Sequence, residues 1–85
     1  MKVRFTKHAR EKFAVLRRHG VVVSRGQVKE TVLQPDHIDF ISRSPLIIAQ
    51  SEFDKRRVLR VVYKVENGII SIITFYPGRK SQYEK

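Results

Sequence analysis

The chain of 85 residues has no cysteine and no tryptophan, only three prolines, and no apolar run near the roughly 20 residues a membrane-crossing helix needs. Without cysteine there is no disulfide framework, no thiolate zinc ribbon and no thiol chemistry, which fits a reducing compartment. The opening MKVRFTKHAR lacks the apolar core of a signal peptide, so a cytoplasmic location is expected. No segment pairs a basic face with one rich in Trp, Phe or Leu, which argues against a membrane surface as partner. Linkers, internal repeats and low-complexity stretches are also missing. A chain this short buries one core rather than two, so residues 1–85 read as a single domain.

Acids are scarce as well, eight against 18 Lys and Arg, for a formal net charge of +10. Five of those acids (Glu30, Asp36, Asp39, Glu52, Asp54) fall in residues 30–54 with one base, Arg43, a local balance of −4. The remainder holds 17 bases and three acids, or +14. Lys and Arg beside a polyphosphate release condensed counterions, so nucleic acid is the leading partner class. A merely solvated basic surface is the plain alternative.

Thr6 is placed to cap a helix reaching about His19, with Ala9, Phe13 and Leu16 forming a narrow apolar stripe and Lys7, Arg10, Arg17 and Arg18 on the other sides. Gly20 stops it. Val21-Val22-Val23 reads as a bridging segment packed on the core. Ser24 followed by Gln27 is a capping-box pattern opening a second helix that turns Val28 and Val32 inward and ends before Pro35. From His37 the apolar period becomes two. Segments 37–42 and 46–53 read as strands around a Ser44-Pro45 break, with a turn at Asp54-Lys55.

Asn67-Gly68 predicts a two-residue type I′ turn, because both positions tolerate positive φ. An uninterrupted register from that turn opposes Glu66 to Ile69, Val65 to Ile70, Tyr63 to Ile72, Val61 to Thr74 and Leu59 to Tyr76. One face then carries Leu59, Val61, Tyr63, Val65, Ile70, Ile72, Thr74 and Tyr76, and is the expected core. The other mixes Val58, Val62, Ile73 and Phe75 with Arg60, Lys64 and Ser71, too apolar for a simple solvated surface, so a groove, tail or partner is expected to cover part of it. The predicted fold is α+β, two N-terminal helices packed on one face of an antiparallel sheet of three to four strands, followed by a short basic tail.

The helix opening Thr6-Lys7-His8-Ala9, the helix end Gln34-Pro35-Asp36, the hairpin close Ile72-Ile73-Thr74-Phe75-Tyr76-Pro77 and the tail Gly78-Arg79-Lys80-Ser81-Gln82-Tyr83 together resemble small prokaryotic domains grouped near RelE- and BrnT-type toxins. The resemblance implies a RelE/ParE-like fold and a metal-independent endoribonuclease that cuts mRNA, typically on the ribosome, and is silenced by a cognate antitoxin. It implies no cofactor. Carried over to this chain, Arg60 is the strand arginine that clamps phosphate, Arg79 supplies charge stabilisation or acts as acid, and Tyr83 is the tail aromatic. Lys55, Arg57 and Lys80 are the phosphate binders around them. The general base is unassigned, with Lys64 and His8 as candidates; Lys64 also counts among the nucleic-acid-binding residues.

Tyr63 and Tyr76 read as core packing residues rather than catalytic ones. His19 faces a helix C-terminus, a structural placement, and His37 follows a turn with no identifiable partner. With no Cys and no His pair at i, i+4, no metal is expected. An antitoxin segment can add to an exposed sheet edge or lie across the groove, and a homodimer is a further expected partner state. Two other functions share the same residues. One is a nucleic-acid-binding module without catalysis, and the other is a protein-interaction domain.

Overall fold

In the computed structural model, which describes residues 2–84, both long helices begin on side chains that cap them and end on backbone hydrogen bonds. Thr6 Oγ1 accepts the Ala9 N–H at 3.3 Å and opens α1 (Lys7–Arg18). The Thr6 hydroxyl also donates to Ile72 O at 2.8 Å, which fixes the helix start on the sheet. Gly20, at φ 79°, closes α1 with paired bonds from Gly20 N–H to Arg17 O (3.0 Å) and Val21 N–H to Leu16 O (2.9 Å). The expected capping box opens α2 (Arg25–Leu33), with Gln27 N–H to Ser24 Oγ at 3.1 Å and Ser24 N–H to Gln27 Oε1 at 2.8 Å.

The sheet corrects the expectation of three to four antiparallel strands. It has five, β1 (Lys2–Phe5), β2 (His37–Asp39), β3 (Ile47–Glu52), β4 (Arg57–Glu66) and β5 (Ile69–Arg79), in the order β1-β5-β4-β3-β2. β1 runs parallel to β5 from Lys2↔Ile69 to Phe5↔Ile72, and the other pairs are antiparallel. Four residues of alternating Lys-Val-Arg-Phe are too few to declare a strand alone. Their partner lies at the far end of the chain, and a parallel pairing needs the intervening crossover.

β2 is shorter than expected because Asp39 turns the chain out of the sheet, its Oδ1 accepting the Ile41 and Ser42 N–H groups at 2.9 Å each. The tail is likewise not loose. Lys80–Tyr83 form a single helical turn, α3.

Helices α1 and α2 cover one face of the sheet, where Ala9, Leu16, Val28 and Val32 pack on Ala49, Leu59, Val61, Tyr63, Ile70, Ile72 and Phe75. Of the bridging segment, Val23 is buried in the same cluster and Val21 packs against it, whereas Val22, expected on the core with them, is exposed. The α+β class and the placement of these helices on one face therefore hold.

The hairpin departs from the expected register at one point. Asn67 (φ 52°) and Gly68 (φ 73°) form the turn, and pairing runs as anticipated from Glu66↔Ile69 to Tyr63↔Ile72. A β-bulge then leaves Ile73 without a partner, and the ladder resumes one residue later as Val62↔Thr74, Val61↔Phe75, Arg60↔Tyr76 and Leu59↔Pro77. Every side chain of β5 beyond the bulge changes face. Phe75 enters the core, fully buried, with its ring 4.6 Å from that of Phe13, and Tyr76 leaves it. An all-carbon ring fills the interior without a hydroxyl that needs a partner there.

Candidate nucleic-acid interface

On the face of the sheet that the helices leave open, cross-strand pairing aligns four polar side chains in one row. His37 of β2 opposes Gln50 of β3, Gln50 opposes Arg60 of β4, and Arg60 opposes Tyr76 of β5. At about 4.8 Å between strands the row spans about 14 Å of backbone, with Arg60 inside it.

Three groups hold the Arg60 guanidinium, and none is an anion. Nη1 donates to Gln50 Oε1 at 2.5 Å, Nε donates to the Tyr76 hydroxyl at 3.2 Å, and the Tyr83 ring lies with its centroid 4.0 Å from Cζ. Gln50 is buried, so its amide oxygen is a fixed anchor rather than a mobile surface group. The ion pairs among the described residues lie elsewhere, Arg57–Asp54 at 2.7 Å, Lys64–Glu66 at 2.8 Å and Lys80–Glu52 at 2.5 Å. Arginine presents five N–H donors in a rigid fork, and the two side-chain hydrogen bonds engage only part of it.

Asp39 lies one row away, paired with Ile48, and acts on Arg60 only weakly through space. The Ser42 side chain, followed by the Ser42 and Ile41 N–H groups, brings its pKa down to about 2. That carboxylate is a poor proton acceptor at neutral pH.

The tail reaches this face through two bonds. Lys80 N–H donates to Arg56 O at 2.8 Å, and Lys80 Nζ to Glu52 Oε1 at 2.5 Å, the contact that raises the Lys80 pKa. The turn of α3 then carries Tyr83 back onto Gly78. A Cβ at Gly78 would stand 2.8 Å from Tyr83 Cδ2, so only glycine leaves room for the ring.

The residues anticipated from the sequence divide among several places. Arg60 and Tyr83 meet, with Lys80 one row away beside Glu52. Lys64 shares the open face, opposite Ser71, but is paired with Glu66 near the hairpin turn. Arg57 opposes Arg79 at the far end of the hairpin, where strand alternation directs both toward the helix side, away from Arg60. They line an open groove there with Asp54, Lys55, Arg56 and Ser81. Arg57 Nε and Nη2 both donate to Asp54 Oδ2 (2.9 and 2.7 Å), which lowers the Asp54 pKa, and the guanidinium lies over Phe53 at 5.1 Å. His8 is exposed on α1, across the sheet from Arg60. Arg60, Arg79, Tyr83 and His8 thus do not form one constellation.

Three residues of the row went unassigned in the sequence. The uninterrupted register places Tyr76 in the core, and the bulge moves it beside Arg60; His37 begins a strand, as the change of period predicts, and the partner the sequence does not identify for it is Gln50 of β3. Gln50 left a visible signal, a single amide directly after the apolar run Ile47-Ile48-Ala49.

Among the described residues no three His, Asp or Glu side chains gather as a metal ion would require, and no helix is long and apolar enough to cross a membrane. No family model, curated protein or solved structure matches the chain.

Proposed function

We propose that this chain binds RNA on the open face of its sheet and cleaves it as a metal-independent endoribonuclease of the RelE/BrnT-like toxin kind, neutralised by an antitoxin. One observation carries the reading. Arg60 is half-buried, preorganised by neutral partners, and aligned between His37 and Tyr76. A guanidinium kept for structure alone usually faces a carboxylate, whereas one held by an amide and a phenol keeps its charge for an incoming anion.

The chemistry follows from the order of the row. A 2′-oxygen attacks the adjacent phosphorus as the bond to the 5′-oxygen breaks, and Arg60 stabilises the charge gathering on the phosphoryl oxygens. His37, exposed at one end, accepts the 2′-hydroxyl proton, imidazole being suited to proton transfer near neutral pH. Tyr76, hydrogen-bonded to Arg60 at the other end, gives a proton to the departing 5′-oxygen. The groove of Lys55, Arg56 and Arg79, at the far end of the hairpin and turned to the helix side, offers further phosphate contacts to RNA that passes off the open face around that end.

Induced expression followed by mapping of mRNA ends tests this. Discrete cuts are expected from the native chain, none from Arg60→Ala, and about 10²-fold less cleavage from His37→Ala. Folded, expressed protein that makes no cuts refutes the catalytic reading. A second reading, RNA binding without cleavage, is favoured by the Tyr83 ring that covers Arg60. It predicts salt-sensitive binding with the RNA left whole.

A further inference from the structure

The Tyr83 ring rests in a seat built for a planar group. Its floor is the bare backbone of Gly78, where any Cβ would overlap the ring, and its wall is the Arg60 guanidinium at 4.0 Å from the centroid. Gly78 is opposed by the fully buried Val58, so the floor is apolar as well as flat. Gly78 does not adopt a positive φ, in contrast to Gly20 and Gly68, so backbone conformation gives no reason for a glycine there. Room for a ring does. The ring that fills the seat is attached to a one-turn helix held to the sheet by the Lys80–Glu52 pair, whose carboxylate is exposed, and one backbone bond from Lys80. Such a fastening is weak in water.

The geometry points to a nucleobase-binding slot over Gly78 and Arg60 in which Tyr83 is a built-in stand-in, displaced when an unpaired base of single-stranded RNA enters. The inference rests on the reading of Arg60 as the phosphate-holding residue and adds the substrate class to it. Single-stranded RNA is recognised by splayed bases stacking on aromatic rings and arginine planes, and a six-membered pyrimidine has the outline of the phenol ring. Entry of the base leaves the remaining Arg60 donors turned to the adjoining phosphate, so one residue reads both parts of a nucleotide. Duplex RNA gains nothing from the slot, because its bases are stacked and paired.

Closure by Tyr83 lowers apparent affinity by the fraction of molecules in which the slot is open. Binding of a labelled 2′-O-methyl oligouridylate, which cannot undergo attack by its own 2′-oxygen, measures this in the full chain. A 2′-O-methyl duplex of equal length serves as comparison. Tyr83→Ala is expected to bind the single strand about five-fold more tightly than the native chain, or about 1 kcal/mol at 1.4 kcal/mol per decade, with duplex affinity unchanged. Gly78→Ala expels the Tyr83 ring but leaves a Cβ on the slot floor, and is expected to show no such gain. Unchanged or weaker single-strand binding by Tyr83→Ala overturns the slot, as does an equal gain for duplex or for Gly78→Ala. If the native chain binds RNA in those cases, the RNA reading survives and the slot alone falls. If neither the native chain nor Tyr83→Ala binds either probe, both fall together.

Discussion

Replacing Phe75 and Tyr76 by alanine, one at a time, tests the bulge on which the open face depends. Phe75 is fully buried and packs against the Phe13 ring at 4.6 Å, so Phe75→Ala removes a whole aromatic side chain from the interior and leaves a cavity. Such truncations cost about 3–5 kcal/mol. A domain of 85 residues is stable by roughly 4–13 kcal/mol at the usual ~0.05–0.15 kcal/mol per residue, so the variant loses from about a quarter to the whole of its stability. At about 4–8 °C per kcal/mol its Tm falls by at least about 12 °C. Tyr76 is half-buried on the opposite face, and its truncation forfeits one hydrogen bond from Arg60 and partial burial of the ring. The expected cost is less than about 2 kcal/mol. Urea titration followed by far-UV circular dichroism gives both values at constant slope. Had the hairpin continued in uninterrupted register, Tyr76 would occupy the core and Phe75 the surface. A Tyr76→Ala loss equal to or larger than that of Phe75→Ala therefore refutes the bulge and removes Tyr76 from the row.

Two further expectations concern charge. The Asp39 pKa is lowered from 3.8 to about 2, so its hydrogen bonds to the Ser42 and Ile41 region stabilise the fold above pH 3.8 and that contribution is lost as pH falls through about 2. The Tm difference between the native chain and Asp39→Asn should be constant near neutral pH and shrink across that acid window; a constant difference down to pH 2 contradicts the assignment. Arg79→Ala, in the groove rather than beside Arg60, should weaken single-stranded RNA binding uniformly across sequences and reduce the log–log salt slope by about 0.7, with cleavage positions unchanged.

Local chemistry made much of the framework legible. A Thr or Ser in front of an apolar stripe caps a helix wherever that helix packs, and Asn-Gly tolerates positive φ whatever surrounds it. Thr6, Ser24, Gly20 and Asn67-Gly68 accordingly do what their neighbours in the sequence ask. Strand β1 was not legible, because a parallel partner brings pairing energy that four residues do not announce. Nor was the face of Tyr76. Strand alternation is a rule of parity, and one inserted residue reverses it for everything beyond.

The candidate site shows the same division. Arg60 stood out in the sequence as a cation among apolar residues on an alternating strand, and Tyr83 as an aromatic in a basic tail. Their meeting required the tail to fold back over Gly78, and the separation of Arg79 and His8 from them followed from strand parity and helix placement. By itself the sequence determined the charge, the helix starts and stops, the hairpin turn and the α+β class, since each depends on residues within a few positions of one another. Only the tertiary structure decided that His37, Gln50, Arg60 and Tyr76 share one row and that Tyr83 covers it. The physical reason is that pairing across four strands and closure of a tail are set by the packing of the whole core, in which burying Phe75 shifts the register that places Tyr76 beside Arg60.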